Sequence, residues 1–376
     1  MKRTVLAIAD LVYDAIIDIG SRPVNAVIVC TGDEYLYLVT GHCHNACDST
    51  TGTLSIRNGL ATFEPDNADP LGFEMVRIVG SDTIRFLTHS DQSINPMFDR
   101  QVRLLGSDGQ SILNRLHVGV IGASGTGSPT FEQLVRIGVG TITVIDPKQV
   151  TDTNITRIYG STLDDIGSPK VDVLAQHAKR IGLNTNVIAI NGTVTSCEVA
   201  QQLKHCDVLF CCTDDHAGRN IASRLAYRYL IPLFNAGVEA RTPGDQIAGV
   251  YGRITVSGPG LACLSCLGQT LPRRAYADAL DPDARQRLAH EGYAPALGQP
   301  DPSVISDTTA TSGLLVSAFV NRLIGFDHPA SHQLVVFDRY KSFPEPADQV
   351  DGHYCNDPRY VGAGDCDPFL DTTWTS

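Results

Sequence analysis

The sequence predicts a doubly wound α/β protein with a mainly parallel sheet, preceded by a small N-terminal α+β domain. From Leu116 onward, short apolar runs typical of buried strands alternate with helix-length segments, which is the pattern of a parallel sheet. The first of these runs ends in a glycine-rich turn, "GASGTG". The chain has 376 residues, of which 43% are hydrophobic, so it is long enough for two folded domains.

The N-terminal region has its own signals. "VNAVIVC" and "EYLYLVT" flank the turn "TGD" and predict a β-hairpin, and a further β-rich stretch ends in "SDTIRFLTHSD". "SDQSINP" then has the composition of a linker. We therefore predict an accessory domain over residues 1–95 and a main domain over residues 96–376. Five apolar residues at helical spacing also predict an amphipathic helix at the start of the chain. They are Val5, Ile8, Val12, Ala15 and Ile19.

In the main domain, an arginine-containing helical segment, "FDRQVRLLGSDGQ", precedes the alternating pattern. The predicted strands are "HVGVIG", "TITVID", "NVIAING" and "DVLFCCT", and the helices between them are "SPTFEQLVRIGV", "SPKVDVLAQHAKRIG" and "SCEVAQQLKHC". A strand in "DQIAGVYGRITVSGPG", a long helix in "TTATSGLLVSAFVNRLIG" and a strand in "HQLVVFDRY" follow. In such a sheet, ligands bind beyond the carboxyl ends of the strands.

Composition excludes several classes of function. The formal net charge of -12 argues against a nucleic-acid partner, because binding to phosphate backbones needs a basic surface. No apolar run approaches the roughly 18 residues that cross a bilayer, and Asp10, Asp14 and Asp18 interrupt any secretion signal. The eleven cysteines are an odd number spread along the chain, which favours reduced thiols and a metal site. We expect a cytoplasmic protein without a membrane partner.

The glycine-rich turn predicts a phosphate-binding loop. It places Gly122, Gly125 and Gly127 between a strand and a helix, where backbone N–H groups at the helix N-terminus can hold a phosphate. Ser124 occupies the position of the middle glycine in a dinucleotide-binding motif, which weakens that interpretation. Asp146 ends the next strand, where an acidic residue typically binds a ribose hydroxyl.

Four polar residues follow at or near strand ends: Asn154, Arg157, Lys170 and Asp214. The amide and the two cations suit phosphates, and the carboxylate suits Mg²⁺, which prefers oxygen ligands. Each residue alone has an ordinary structural explanation, such as a helix cap for Asn154 or Asp214 and a solvated first-turn lysine for Lys170. Their occurrence together, in this order, favours a nucleotide site.

The joint pattern resembles the family of ThiF, MoeB and the ubiquitin-activating enzymes. The matching segments are "FDRQVRL..G..GQ..L", "V.VIGASGTGS", "ID...V..TN..R", "GSPK", "CTDD...RN", "CLSC" and "PSVIS". They cover roughly Phe98 to Ile324, and their order and spacing make the match specific. The resemblance implies a Rossmann-like adenylation domain. It also implies ATP-dependent adenylation of the C-terminal glycine carboxylate of a ubiquitin-like or sulfur-carrier protein.

The resemblance also implies roles for individual residues. The glycine turn would line the nucleotide, Asp146 would bind its ribose, Asp214 would hold Mg²⁺, and Arg100 would reach into the site of a dimer partner, so the protein would be a homodimer. The residues that would contact the phosphates are Asn154, Arg157 and Lys170. Three positions differ from many relatives: Ser124 stands for a glycine, Ile158 for a glutamine and Asp215 for an asparagine.

Relatives carry a structural zinc site, and half of it is recognisable here. Cys263 and Cys266 form a Cys-x-x-Cys pair of the kind that contributes to tetrahedral zinc sites. The C-terminal region offers Cys355 and Cys366, eleven residues apart, with His353 nearby. The fourth ligand therefore stays open, as does the alternative that these are free thiols. A zinc ion in this position would hold the C-terminal segment on the domain.

The pathway is less determined than the chemistry. A thioester-forming cysteine is absent from the span Leu267–Ser306, Cys211 and Cys212 lie in a predicted buried strand, and Cys43 and Cys47 belong to the accessory domain. Because of that extra domain we favour activation of a ubiquitin-like protein for conjugation, with a conjugating enzyme as a further partner. The alternatives are activation of a sulfur carrier for thiamine or molybdopterin synthesis, a nicotinamide-dependent oxidoreductase, and a catalytically inactive scaffold.

Overall fold

The computed structural model describes the strands between residues 11 and 88 and most of the chain from residue 94 onward. From there the described ranges are 94–241, 249–280, 283–284, 286–287, 303–323, 330–339, 341–357, 359–362, 364, 368–372 and 374. Within the described residues, no helix is long and apolar enough to cross a membrane.

The N-terminal region contains eight strands in two four-stranded sheets, with orders β1-β4-β5-β6 and β3-β2-β7-β8. β2 and β3 pair antiparallel, as expected for the hairpin. The strands are β1 Leu11–Asp18, β2 Ala26–Thr31, β3 Tyr35–Thr40, β4 Ser49–Arg57, β5 Leu60–Pro65, β6 Leu71–Phe73, β7 Met75–Gly80 and β8 Ile84–Thr88.

The helix predicted at the start of the chain is wrong over Leu11–Asp18. This segment is strand β1, which pairs antiparallel with β4 over eight residues. "LVYDAIID" is rich in β-branched and aromatic side chains, which suit a pleated surface, and the ladder with β4 provides hydrogen-bond partners from outside the segment. Tertiary pairing therefore prevails over the helical spacing.

The main domain is built on an eight-stranded sheet in the order β11-β10-β9-β12-β13-β14-β15-β16. The first five strands are parallel, and the last three pair antiparallel. This confirms the predicted fold class, a doubly wound and mainly parallel sheet. The strands are β9 His117–Ile121, β10 Thr141–Ile145, β11 Asn186–Ile190, β12 Val208–Cys211, β13 Leu233–Arg241, β14 Gly249–Ser257, β15 His332–Val336 and β16 Lys341–Pro344.

Helices cover both faces of this sheet. One buried apolar cluster joins the sheet to α2, α3 and α7, through side chains such as Phe131, Leu174 and Phe319. The other joins it to α4 and α5, for example through Ala200 and Leu225. The helices are α1 Asp99–Arg115, α2 Gly127–Arg136, α3 Lys170–Ile181, α4 Cys197–Gln202, α5 His216–Arg228, α6 Pro272–Ala279 and α7 Ile305–Leu323.

Several elements of the main domain are not apparent in the sequence pattern, and two of them, α5 and β13, bear on the site. The first turns of α5 read "HAGRN", which lacks an apolar stripe, and β13 contains Asn235 and Gly237, residue types that are depleted in strands. α5 is nevertheless largely buried, as is the first half of β13. They lie directly beside the predicted site.

An arginine of the N-terminal region is anchored in the main domain. Arg77 of β7 is buried and donates hydrogen bonds to the carbonyl oxygens of Cys206 (3.3 Å) and Asp207 (2.9 Å). Its guanidinium also lies 3.6 Å from the Asp207 carboxylate. Val79 and Phe86 join the apolar cluster of the main sheet. The sheet that contains β7 and β8 therefore packs on the main domain, and a division of the chain near residue 95 stays a prediction.

Candidate functional site

The glycine-rich turn links β9 to α2, and within it the backbone at Gly122 and the backbone at Gly127 lie very close together. Gly122 has φ +94°, and a Cβ on Gly127 would lie 1.8 Å from the Gly122 carbonyl oxygen. The Gly122 N–H donates to the carbonyl of Ile145 (2.8 Å), and the Ser128 N–H donates to the carbonyl of Ser124 (2.8 Å). The turn is therefore fixed, and the N-terminus of α2 faces the region beyond the strand ends, as an anion site requires.

Gly127→Ala should destroy this turn. The added methyl group meets backbone rather than a movable side chain, so we expect a loss of about 2 kcal/mol or more in unfolding free energy, together with loss of ATP binding. Urea denaturation and isothermal titration with ATP measure the two effects. Gly313→Ala in α7 is the matched control, because its Cβ would find the nearest atom 3.9 Å away. Equal stability and ATP affinity of the two variants would contradict the prediction.

Asp146 and Asn154 both hold local backbone. The buried carboxylate of Asp146 accepts hydrogen bonds from the N–H groups of Ala123 and Lys148, each at 2.8 Å. It keeps lone pairs that a ribose hydroxyl can use. The Asn154 side chain accepts from the Thr151 N–H (2.9 Å) and donates to the carbonyl of Gln149 (3.4 Å). Its amide is therefore engaged within the turn that follows β10.

Arg157 lies against the glycine turn. A Cβ on Gly125 would lie 3.2 Å from the Cδ of Arg157, so the absence of a side chain there makes room for the arginine. One guanidinium nitrogen donates to the carbonyl of Thr153 (3.3 Å). The side chain is half-buried, and the remaining N–H groups of the guanidinium are available to an anion bound at the turn.

Lys170 is the most unusual charge in this region. It is the first residue of α3 and only 3% exposed. Burial lowers the pKa of its ammonium group, and the nearby carboxylates of Asp146 and Asp214 partly oppose that effect. Among the residues that the structure describes, no carboxylate forms an ion pair with it. A buried ammonium group without an ion-pair partner is costly unless an anionic ligand completes it.

Asp214 and the adjacent Asp215 have different surroundings. Asp215 is the N-cap of α5 and accepts a hydrogen bond from the Gly218 N–H. The capping role considered for Asp214 therefore belongs to Asp215. The Asp214 side chain is exposed beyond the end of β12, where it offers carboxylate oxygens to a cation such as Mg²⁺.

Arg100 is exposed on the first turn of α1. This part of the helix is separated from the rest by Gly106, which has φ +74°. It is held to the domain by Gln101, whose amide donates to the carbonyl of Ile137 (3.0 Å). No contact recorded for the described part of one chain joins Arg100 to Arg157 or Lys170.

Helix α7 also lines the site, which the sequence motifs did not indicate. The Thr308 methyl carbon would lie 3.2 Å from a Cβ on Gly125, and the Ser312 hydroxyl donates to the carbonyl of Thr126 (2.7 Å). Tyr159 and Thr309 are joined by a hydrogen bond of 3.0 Å between their hydroxyls. The signal in the sequence is the run of small hydroxyl residues, "SDTTATS", at the start of this helix.

A second cluster consists of three thiols and one imidazole. Ligand atoms of Cys263, Cys266, His353 and Cys355 all lie within 4.8 Å of one another. The Cys266 sulfur is 3.4 Å from the sulfur of Cys263, 3.5 Å from that of Cys355 and 3.1 Å from His353 Nδ1. Ligands at about 2.3 Å from a tetrahedral ion are about 3.8 Å apart, so these atoms would have to move only slightly apart to hold Zn²⁺.

The fourth position of this cluster is occupied by a histidine. Cys366, the predicted fourth ligand, lies outside the described residues, and His353 completes the set. Hydrogen bonding from Cys355 lowers the pKa of the Cys263 thiol to about 4, which favours the thiolate that a metal ion needs. The cluster joins the turn after β14 to the C-terminal segment.

Three other described cysteines do not resemble nucleophiles. Cys206, Cys211 and Cys212 are buried, and burial raises the pKa of each thiol, to about 12 for Cys211 and Cys212. Such thiols are inert at neutral pH. Cys43 and Cys47 lie outside the described residues, so the structure does not place them relative to the site.

Comparisons with known proteins agree with this geometry. A family model described as the ThiF family matches residues 98–351. The molybdopterin-synthase adenylyltransferase of Escherichia coli (strain K12) is 25% identical over 244 residues, which are 64% of this chain and 87% of that protein. The sulfur carrier protein adenylyltransferase of Thermus thermophilus is 26% identical over 243 residues, covering 64% and 82%. E. coli MccB, solved with ATP, superposes with a TM-score of 0.54 at 17% identity, covering 70% and 75% of the chains.

Proposed function

Because the chain belongs to the ThiF family, we propose that it transfers AMP from ATP to the C-terminal carboxylate of a small ubiquitin-like or sulfur-carrier protein. The observation that carries the proposal is the buried ammonium group of Lys170 beside the glycine turn. Two relatives named as adenylyltransferases, which align with most of their own length, support the same chemistry. One of them is named for a sulfur carrier.

The reaction needs charge neutralisation more than proton transfer. A carboxylate oxygen of the substrate attacks the α-phosphorus of ATP, a new O–P bond forms, and the bond to the β-phosphate oxygen breaks. Pyrophosphate leaves with that electron pair. The carboxylate is already ionised at neutral pH, so no general base is required. Lys170 and Arg157 would neutralise the phosphates, and the glycine turn would donate backbone N–H groups. Asp214 would hold Mg²⁺, which shields phosphate charge when bound.

An exchange assay tests this function. Purified protein is incubated with ATP, radiolabelled pyrophosphate and either a sulfur-carrier protein that ends in Gly-Gly or the same protein without its last glycine. We expect label to enter ATP with the first protein and not with the second. ATP binding without any exchange in a panel of such carriers would contradict the proposal. Tight binding of NADH in place of ATP would support the oxidoreductase alternative.

Activation for conjugation is the form of the proposal that we favour, with a conjugating enzyme as the next partner. The N-terminal region supports it, because its described strands form two sheets in addition to the main one, which could serve a protein partner. Transfer of the adenylated tail to a cysteine would produce a band on a non-reducing gel that hydroxylamine or dithiothreitol removes. A thiocarboxylate on the carrier, detected by mass spectrometry after a sulfur donor is added, would favour the sulfur pathway.

A homodimer completes the site in this proposal, through Arg100 of the neighbouring subunit. Arg100 is exposed on α1, and no contact among the described residues of its own chain joins it to Arg157 or Lys170. We expect Arg100→Ala and Lys170→Met each to be inactive alone. Their mixture should regain up to about a quarter of wild-type exchange, because some mixed dimers would hold one intact site.

The complementation assay has a direct control. Arg103→Ala lies on the same helix, and its guanidinium forms an exposed ion pair with Asp99 at 2.7 Å. Exposed pairs of this kind contribute little, so this variant should keep most of its exchange activity. A mixture that stays as inactive as its components, although sedimentation shows mixed dimers, would exclude a shared site. Full activity of a monomer would exclude it as well.

A further inference from the structure

A second arginine-lined position lies on the α5 side of the sheet, beyond the end of β12. It consists of Arg219 from α5, Gly237 from β13 and Arg253 from β14. In the antiparallel ladder, Gly237 pairs directly with Arg253, so the two residues occupy the same face. None of the roles assigned above to the glycine turn, Lys170, Arg157 or Asp214 uses these residues.

Arg219 is buried, and the described part of the chain provides no partner for its charge. It is 8% exposed, and its Nε has no hydrogen-bond partner. Among the described residues, no ion pair or hydrogen bond of its guanidinium is found. Burial raises the pKa of the Cys211 and Cys212 thiols, and the charge of Arg219 partly opposes that rise, which places this charge near the end of β12. Burial of an unpaired guanidinium costs free energy, and a bound anion would offset that cost.

No side chain at Gly237 separates the two arginines, and the flexible end of Arg219 would have to shift slightly to admit an anion beside it. A Cβ on Gly237 would lie 3.3 Å from an Nη atom of Arg219 and 4.0 Å from an Nη atom of Arg253. Gly237 is itself partly exposed, so the position is open to a ligand from solvent. Two guanidinium groups that converge on one open position match a carboxylate, which accepts charge-assisted hydrogen bonds from both.

The sheet geometry relates this position to the adenylation site. β12 lies between β9, which carries the glycine turn, and β13, which carries Gly237. Neighbouring strands are about 4.8 Å apart, so the two positions are separated by about 10 Å, which an extended peptide spans with about three residues. A polypeptide whose terminal carboxylate reaches the nucleotide would therefore pass Gly237 about three residues earlier.

We propose that Arg219, Gly237 and Arg253 form a subsite that selects polypeptide substrates with an aspartate or glutamate about three residues before the C-terminus. The inference rests on the proposed function and adds a substrate class to it. The acidic side chain occupies the space above Gly237 and completes the charge of Arg219. The terminal carboxylate then reaches the phosphates held by Lys170 and Arg157.

The first test needs no substrate. Gly237→Asp places a carboxylate in the subsite from within the chain, and Gly237→Asn places a neutral side chain of the same shape there. We expect the aspartate variant to melt about 2 °C or more above the asparagine variant, because only the aspartate compensates the buried guanidinium. An aspartate variant that melts below the asparagine variant would show that the position rejects anions and would overturn the proposal.

The second test measures selectivity with the full chain. Two pools of synthetic decapeptides end in glycine and are random elsewhere, except that the fourth residue from the end is aspartate in one pool and asparagine in the other. In pyrophosphate exchange we expect about 10-fold or greater preference for the aspartate pool, since hydrogen bonds between charged groups are strong. Arg219→Gln and Gly237→Asp should both lose that preference.

The outcomes separate this inference from the proposed function. Equal exchange with both pools, or exchange with neither pool by a wild-type protein that does exchange label with a carrier protein, would overturn the assignment of the subsite to a substrate tail. Failure of the wild-type protein to bind ATP would instead contradict the proposed function. If Arg219→Gln does not fold, Gly237→Asp alone decides the question, because it retains both arginines.

Discussion

Lys170→Met is expected to lower the rate of AMP transfer at least about 100-fold without lowering the melting temperature. In the proposed site, the substitution would remove a charge-assisted contact with a phosphate, which contributes more in a partly dry site than in water. It also removes a buried ammonium group that has no ion-pair partner among the described residues, so the folded protein loses no internal salt bridge. Stability and activity should therefore respond in opposite directions. Pyrophosphate exchange and thermal unfolding measure the two effects.

The control for this variant lies on the same helix. Lys179 is exposed near the C-terminal end of α3, so Lys179→Met should change exchange less than about two-fold. Lys170→Arg keeps the charge but changes its shape and should retain part of the activity. If Lys170→Met instead unfolds the protein or leaves exchange intact, Lys170 stabilises the fold and does not bind the nucleotide.

The lowered pKa of Lys170 also predicts a pH dependence. Burial is the main cause of the shift, and it makes the ammonium group lose its proton at a lower pH than an exposed lysine. In the proposed site, ATP binding would need the protonated form. Affinity for ATP should therefore be full at pH values below the lowered pKa and fall as the pH rises through it, before the ordinary lysine range. Lys170→Arg should abolish this fall, and an unchanged profile in that variant would assign the effect to another group.

Loss of the Cys/His cluster should have the largest effect on stability. We expect Cys266→Ala to lose bound zinc and to melt at least about 6 °C lower, since structural zinc binding contributes directly to folding. The cluster fastens the segment around Tyr354, whose hydroxyl donates to the Ser223 hydroxyl of α5 (2.8 Å) and whose ring meets that of Tyr227 edge to face. Without the ion, these contacts would have to hold the C-terminal segment alone.

Metal analysis and unfolding together decide this prediction. Wild-type protein should contain about one zinc ion per chain, and His353→Ala should reduce its occupancy, whereas Cys366→Ala should not. Cys197→Ala is the matched control, because this partly buried cysteine on α4 lies outside the cluster. Wild-type protein purified without zinc that melts at the same temperature as the loaded form would show that the cluster does not need a metal ion.

Local sequence patterns were sufficient for the parallel half of the main sheet. β9, β10, β11 and β12 are short apolar runs with buried neighbours, and the helices between them have clear lengths and breaks. β1 could not be assigned in this way, because its apolar residues fit both a helical and an extended period. β13 was not predicted, because it contains Asn235 and Gly237, which are uncommon in strands. These residues are extended here because β13 pairs with β12 and β14.

The site shows the same division between short-range and long-range information. The order of the motifs indicated the glycine turn, Arg157 and Lys170, because a strand that ends in glycines before a helix has few other uses. The choice of Asp215 over Asp214 as the cap of α5 depends on where that helix begins. The choice of His353 as a member of the cysteine cluster depends on a contact across about 90 residues of chain.

The sequence by itself determined the fold class and the presence of a phosphate-binding turn, because hydrophobic periodicity and glycine positions act within a few residues of the chain. The tertiary structure decided which charges are buried without a partner, which ligands complete the thiol cluster, and that Arg219 and Arg253 converge on Gly237. Burial and convergence are properties of surfaces brought together from distant segments. A sequence pattern gives no distance between segments that are far apart in the chain. Burial and convergence are therefore known only from the folded structure.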